Sequence, residues 1–115
     1  MHEMGVAQQM INIALASIPA DIVNPRVERL NLKVGKLAAV VEDSLKFCFE
    51  IIAKDSLLEG AELVIEHVPV KVRCKNCQAI WEVDGPVFSC QSCKDGMVEI
   101  ISGRELEIVS IEIAE

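Results

Sequence analysis

Four of the five cysteines stand in two C-x2-C pairs, Cys74 with Cys77 and Cys90 with Cys93. Each pair forms a tight turn that presents two thiolates from one side, and two such turns complete a tetrahedral shell of four sulfurs. Zinc suits four soft thiolates, while iron in a rubredoxin-like site is the alternative metal and disulfides are the alternative chemistry. We predict a closed, structural zinc site at these four cysteines.

The chain begins Met1-His2-Glu3, an order that can chelate a metal through nitrogen. Methionine removal generally requires a small second residue, so we expect the bulky His2 to leave Met1 in place. The α-amino nitrogen of Met1, the deprotonated backbone nitrogen of His2 and its imidazole form adjacent chelate rings, and such square-planar geometry suits Ni(II) or Cu(II). The backbone nitrogen of Glu3, its carboxylate or a partner's ligand would complete the shell. The alternative is that His2 is only an exposed terminal residue.

Two amphipathic helices are predicted. From Met4 to Ile18 the apolar residues recur at helical spacing, and Pro19 closes the pattern. A second helix is predicted from about Val41 to Lys54, because an apolar stripe follows the acidic Glu42 and Asp43, which are favourable in a first turn. The first helix therefore starts beside the possible chelating terminus.

Three stretches have the character of strands. Val27 to Val34 alternates between apolar and polar residues, as a half-buried strand does. The stretch from Ala61 to Arg73 is rich in Val, Ile and Leu, and Pro69 divides it into two strand segments that lead into the first cysteine pair. Between Glu105 and Ile113 the alternation slips by one residue near Val109, which predicts a strand with a bulge.

This order of elements indicates an α+β fold in which two helices pack on one face of a small three-stranded sheet. The four cysteines belong to a zinc-ribbon-like module inserted between strands. We place the α+β domain in residues 1–68 plus 105–115 and the zinc-binding module in residues 69–104. We expect Trp81 to lie in the small core of that module, Cys48 to pack as an unreactive hydrophobe on the second helix and His67 to face solvent.

The net charge of −7 arises mainly outside the cysteine module, which holds five basic and four acidic side chains. Nucleic-acid binding requires a basic face, and a four-thiolate zinc centre adds about −2, so we expect no nucleic-acid partner. No run approaches the roughly 18 to 20 apolar residues that cross a bilayer, and the start lacks the basic residues of a signal peptide. We therefore expect a cytoplasmic protein that binds no membrane.

Taken together, three features resemble the HypA/HybF family of hydrogenase-maturation nickel metallochaperones. They are the opening Met1-His2-Glu3-Met4, the paired C-x2-C motifs, and the segment from Lys33-Val34-Gly35 through Glu42 to Phe47-Cys48-Phe49. The resemblance covers essentially the whole chain.

The resemblance implies a protein that delivers nickel to nickel-iron hydrogenase, with a HypB-type GTPase and the hydrogenase large subunit as partners, and with urease maturation proteins as further candidates. It implies a transferable Ni(II) bound at Met1, His2 and Glu3, and a structural Zn(II) at the four paired cysteines. No catalysis by the protein itself is implied, and the chain is expected as a monomer or homodimer. The alternative is a zinc-ribbon module that binds other proteins and carries no transferable metal.

Overall fold

We analysed a computed structural model of the chain, which describes residues 3–84, 90, 93 and 97–114. Its helices are α1 (Glu3–Ser17) and α2 (Glu42–Ala53). Its strands are β1 (Arg26–Gly35), β2 (Glu62–Val68), β3 (Lys71–Cys74), β4 (Ile80–Glu82), β5 (Val98–Ser102) and β6 (Leu106–Ala114), and a 3-10 turn (Lys36–Ala38) follows β1. Both predicted helices and all predicted strands are present, each within a few residues of its expected bounds.

The first sheet has the order β2-β1-β6, with β1 parallel to β2 and antiparallel to β6. A parallel pair needs a crossover connection, and α2 supplies it between β1 and β2. Leu30 of β1 stands opposite Leu63 on one side and Ile111 on the other. The central strand is therefore lined on both sides by apolar neighbours on the face that the helices cover.

The main core lies between the two helices and this sheet. Leu30, Leu45 and Leu58 are fully buried there, and Cys48 is 9 % exposed. The remaining buried members of the cluster are Val6, Ala7, Met10, Ile11, Ala14, Val27, Leu32, Val34, Phe49, Ala53 and Leu63. Burial of this aliphatic surface supplies the main driving force for folding, at about 1.5–3 kcal/mol for each large side chain.

The burial of α1 agrees only in part with its predicted apolar stripe, Met4, Ala7, Ile11, Ala14, Leu15 and Ile18. Of these residues, Ala7, Ile11 and Ala14 are buried as predicted. Met4 and Leu15 match the helical spacing but are 46 % and 38 % exposed, whereas Val6 and Met10 are buried. The reason is that α1 packs chiefly against α2 and also touches β6, so its contacts spread around the helix. On α2, Val41 is likewise exposed, because it precedes the first helical turn.

The opposite face of the first sheet is polar. Arg29 of the central strand bonds Glu62 of β2 at 3.0 Å and Glu112 of β6 at 2.9 Å. Asn31, two residues further on, donates to the hydroxyl of Ser110 at 2.9 Å. These cross-strand contacts tie both outer strands to β1 on the side that no helix covers.

The predicted bulge in the last strand is confirmed. Asn31 pairs with Ser110 and the next residue, Leu32, pairs with Ile108, so Val109 has no partner in β1. The extra residue restores the inward phase of Leu106 and Ile108 on one side of the bulge and of Ile111 on the other.

A second sheet, ordered β4-β3-β5, carries the cysteine module. Its two short outer strands were not predicted, because three to five residues are too few for alternation to be read with confidence from a sequence. Val70, Val72 and Val83 are buried on one face, with Trp81 packed against them as predicted. Val87 and Phe88 lie outside the described residues.

Two glycines bring the chain segments that join the sheets into backbone contact. A Cβ on Gly35 would lie 2.0 Å from the carbonyl oxygen of Gly103, so no larger residue fits there. The backbone nitrogen of Gly35 donates to Glu105 at 2.7 Å, and that of Leu37 donates to Gly103 at 2.8 Å. Gly103 adopts a φ of +116°, which glycine tolerates best.

The observed architecture is the predicted α+β fold, in which two helices and a three-stranded sheet accompany a four-cysteine module. Among the described residues, no helix is long and apolar enough to cross a membrane.

Candidate metal centres

The first cysteine pair lies in a tight turn at the end of β3. The backbone nitrogen of Gln78 donates to the carbonyl oxygen of Cys74 at 2.9 Å. The backbone nitrogen of Cys74 donates in turn to the carbonyl oxygen of Ala79, also at 2.9 Å. Gln78 adopts the left-handed conformation, with a φ of 66°, which lets the chain reverse within these few residues. Lys75 donates to the carbonyl oxygen of Met97 at 2.8 Å and so joins the turn to the segment before β5.

The structure brings all four predicted cysteine ligands together. Their sulfur atoms lie within 4.8 Å of one another, although nineteen positions separate the first cysteine from the last. The Sγ of Cys74 lies 3.5 Å from that of Cys93, and the Sγ of Cys77 lies 3.6 Å from that of Cys90. A disulfide requires about 2 Å, so these distances are not those of bonded pairs.

These separations fit a tetrahedral metal centre. A zinc ion bonds sulfur at about 2.3 Å, so the edges of a regular four-sulfur tetrahedron measure about 3.8 Å. The observed sulfur separations bracket that value. The donor set is four soft sulfurs and no oxygen or nitrogen, which suits zinc or iron and does not suit magnesium or calcium.

The proton affinities of the thiols are uneven. Hydrogen bonds from the backbone of Cys77 and then of Asn76 lower the pKa of Cys74, against the effect of desolvation. For Cys77, a hydrogen bond from the backbone of Ala79 lowers the pKa, but Cys90, desolvation, Cys74 and Cys93 together raise it to about 11. Clustered thiols resist ionising together, so a cation is needed to hold four thiolates at neutral pH.

Among the described residues of the module, the apolar core is small. Its buried members there are Val70, Val72 and Val83, which each contribute about 1.5–3 kcal/mol. Ordering the backbone costs about 1–2 kcal/mol for every residue. Arg73 adds a bond to Glu99 at 3.0 Å, but a pair this exposed contributes little. Metal binding at the four sulfurs would add a cross-link to this small set of described contacts.

The predicted packing of Cys48 and the predicted exposure of His67 are both confirmed. Cys48 is buried on α2 and packs in the main core. His67 is exposed, with 57 % of its side chain accessible. The Nε2 of His67 makes a short contact with Glu42 at the start of α2. The sequence did not reveal this partner, because the two residues are 25 positions apart.

The predicted nickel ligands are only partly within the described structure. Met1 and His2 lie outside the described residues, and Glu3 is the first residue of α1. The Oε2 of Glu3 accepts a hydrogen bond from the backbone nitrogen of Val41 at 3.2 Å. Val41 immediately precedes α2. The first turn of α1 is thus joined to the residue that precedes α2, and this contact was not predicted from the sequence.

A family described as hydrogenase/urease nickel incorporation, metallochaperone, hypA matches residues 1–113 of this chain. The chain belongs to the HypA family.

HypA relatives align along nearly the full length. The hydrogenase maturation factor HypA of Desulfosudis oleivorans is 57 % identical over 115 residues, which cover all of both chains. The hydrogenase maturation factor HypA of Streptomyces avermitilis is 46 % identical over 113 residues, which cover 96 % of this chain and 86 % of that one. The similarity therefore extends over the helices, both sheets and the four cysteines.

Two solved HypA structures have the same fold. The solution structure of the Ni metallochaperone HypA from Helicobacter pylori matches with a TM-score of 0.68 at 23 % identity, over 98 % of this chain and 97 % of that one. A second solution structure, of a HypA protein, matches with a TM-score of 0.73 at 24 % identity, over 99 % and 97 % of the two chains. At these identities the likeness shows the HypA fold.

Proposed function

We propose that this protein is a nickel metallochaperone that binds Ni(II) through its amino terminus and delivers it during the maturation of nickel-iron hydrogenase. The observation that carries the proposal is the extent of the family match, which runs from residue 1 to residue 113. It includes Met1-His2-Glu3 as well as all four paired cysteines. The nickel is cargo in this proposal, and the protein has no catalytic activity of its own.

The proposed nickel ligands are nitrogen atoms of the first residues. The α-amino group of Met1, the backbone nitrogen of His2 and its imidazole supply three positions of a square plane, and the fourth is filled by the backbone nitrogen of Glu3 or by a partner's ligand. Each nitrogen must lose a proton to bind, so the nickel affinity falls as the pH falls. A site with three ligands from the chain leaves a position from which a partner can withdraw the metal.

The proposed zinc ligands are Cys74, Cys77, Cys90 and Cys93. Their sulfurs stand at separations that suit a tetrahedral shell, and their soft donor set suits zinc. A bound zinc ion supplies a cross-link for a module whose described residues form only a small apolar core. Four protein ligands leave no open coordination position, so the role of the zinc is structural.

The proposal extends to partners and place of action. A HypB-type GTPase and the large subunit of nickel-iron hydrogenase are the proposed partners, and urease maturation proteins are a second client group, in keeping with the hydrogenase/urease description of the family. The protein would act in the cytoplasm as a monomer or homodimer. Residues 1–68 plus 105–115 would form the nickel-binding domain and residues 69–104 the zinc-binding module.

A nickel titration of the zinc-loaded protein tests the proposal. Isothermal calorimetry gives the stoichiometry, and the absorbance of square-planar nickel reports the ligand set. Native protein should bind one nickel ion. His2→Ala should lose the site because it removes the imidazole, and a chain with one residue added before Met1 should lose it because its amino group no longer closes the chelate ring.

The matched control is His67→Ala, since His67 is the other histidine of the chain. It should retain one nickel ion and the same absorbance. If the native chain, His2→Ala and the extended chain bind nickel alike, the amino terminus is not the site and nickel delivery from it is wrong. The remaining function would be the alternative, a zinc-stapled module that binds other proteins and carries no transferable metal.

A further inference from the structure

The start of α2 lacks a capping residue of its own. Val41 occupies the N-cap position, where Ser, Thr, Asp or Asn usually accepts a hydrogen bond, and its aliphatic side chain cannot do so. A carboxylate comes instead from the other helix, because Glu3 Oε2 lies 3.2 Å from the backbone nitrogen of Val41. Negative charge is favoured at a helix amino terminus, where backbone N–H groups converge. The first turn of α1 is thereby anchored on α2.

The first turn of α2 also makes contacts with other parts of the fold. Glu42 bonds Lys46 at 2.9 Å one turn further along the helix, and it also contacts His67 of β2. The segment that leads into α2 is held as well, because the backbone nitrogen of Leu37 donates to Gly103 at 2.8 Å. Contacts of the neighbouring residues with β2 and with Gly103 therefore flank the N–H group that Glu3 contacts.

We propose that Glu3 is a positioning residue, whose carboxylate fixes the amino-terminal nickel chelate against α2 and does not itself bind the metal. This inference rests on the proposed function. His2 is bonded to Glu3, and Met1 to His2, so a contact that restrains Glu3 restrains the residue to which the chelating end is attached. Apparent affinity falls in proportion to the fraction of molecules that hold a competent conformation, and the contact keeps that fraction high.

Four variants of the zinc-loaded protein separate positioning from ligation. Glu3→Gln keeps a side-chain oxygen that can accept from Val41 but removes the metal-binding carboxylate. Glu3→Ala removes the acceptor. Val41→Pro removes the donor and leaves the carboxylate intact. The φ of Val41 is −86°, close to the range of proline, and its side chain is 59 % exposed, so this change is compatible with the local structure. Val41→Ala keeps the N–H group and is the matched control.

The positioning role predicts two groups of variants. Glu3→Gln and Val41→Ala should bind nickel within about two-fold of the native affinity, while Glu3→Ala and Val41→Pro should bind about three- to ten-fold more weakly. All should show the native square-planar absorbance, because the nitrogen ligands are unchanged. The double variant Glu3→Ala with Val41→Pro should lose less affinity than the sum of the two single losses, since both changes remove the same contact.

The opposite pattern would overturn the inference. If the carboxylate is a ligand, Glu3→Gln loses as much affinity as Glu3→Ala and its absorbance shifts, while Val41→Pro binds at least as tightly as native protein. Far-ultraviolet circular dichroism and zinc content check that α2 and the cysteine module remain folded, and Glu3→Ala gives the same test without altering α2. If native protein takes up no nickel at its terminus, the proposed function fails and this inference with it. If native protein binds and only the variant pattern differs, the positioning role alone is wrong.

Discussion

Gly35→Ala should destabilise the protein by about 3 kcal/mol. Gly35 ends β1 with a φ of −78° and a ψ of 150°, a conformation that alanine adopts readily, so backbone strain is not the reason. The reason is space, because the added Cβ would lie 2.0 Å from the oxygen and 2.1 Å from the carbon of the Gly103 carbonyl. Both are backbone atoms, which cannot rotate out of the way.

The magnitude follows from the contacts that must separate. Moving the two segments apart weakens the hydrogen bonds from Gly35 to Glu105 and from Leu37 to Gly103, each worth about 0.5–1.5 kcal/mol net. Strain from the inserted methyl group adds about 1–3 kcal/mol. Alanine lowers the conformational entropy of the unfolded chain, which offsets about 0.4–1 kcal/mol of this loss in stability. A loss near 3 kcal/mol corresponds to a melting temperature lower by roughly 10 °C for a chain of this size.

Urea unfolding with zinc in excess measures this change, because excess zinc keeps metal release from varying between samples. The matched control is Gly5→Ala, since a Cβ on Gly5 meets nothing within 4 Å and Gly5 lies within α1. That variant lies in the first turn of α1 and should gain at most about 1 kcal/mol from helix propensity. The reasoning is refuted if Gly35→Ala stays within about 0.5 kcal/mol of native protein while Gly5→Ala is no less stable than native protein.

Two further predictions concern the thiols and the acid limb of stability. With zinc bound, the thiols should resist alkylation. Removal of the zinc by a chelator should unfold the cysteine module and expose the four paired cysteines. Cys48 is 9 % exposed, so it should react only when the main core unfolds. Cys48→Ala should lower the total thiol count by one and leave zinc content unchanged, and a fifth thiol reacting on chelation alone would contradict the assignment. The pKa of Glu112 is held below its ordinary value of 4.5, first by a hydrogen bond from Asn31 and then by Arg29. Because the folded-state pKa is the lower one, these contacts stabilise the fold above pH 4.5 and are lost as the pH falls through the folded value. Glu112→Gln should therefore flatten the fall in melting temperature between about pH 5 and pH 3, and an unchanged acid profile would rule this out.

Much of the local structure was readable from the sequence because its signals are local. The first helix was predicted from Met4 to Ile18 and runs from Glu3 to Ser17, since its apolar spacing and Pro19 lie within the helix or beside it. The bulge at Val109 was readable because a single extra residue reverses the phase of alternation on either side. Such features can be predicted because they depend on residues that are close together in the chain.

The burial of individual residues was less predictable. Met4 fits the stripe of α1 but is exposed, and Val6 lies off the stripe but is buried. Which arc of a helix is covered depends on where its neighbours stand, and α1 meets both α2 and β6. The short strands β4 and β5 were missed for a related reason, because their pairing with β3 decides their conformation more than their own few residues do.

By itself, the sequence determined the donor chemistry: four thiols in two close pairs, and a terminus with a histidine in second position. Ligand type and local spacing are properties of the chain, so tertiary structure was not needed to read them. Only the tertiary structure decided that Glu3 reaches Val41, that His67 meets Glu42, and that Gly35 passes against Gly103. Each contact joins residues far apart in the chain, and no periodic pattern encodes a partner at such a distance.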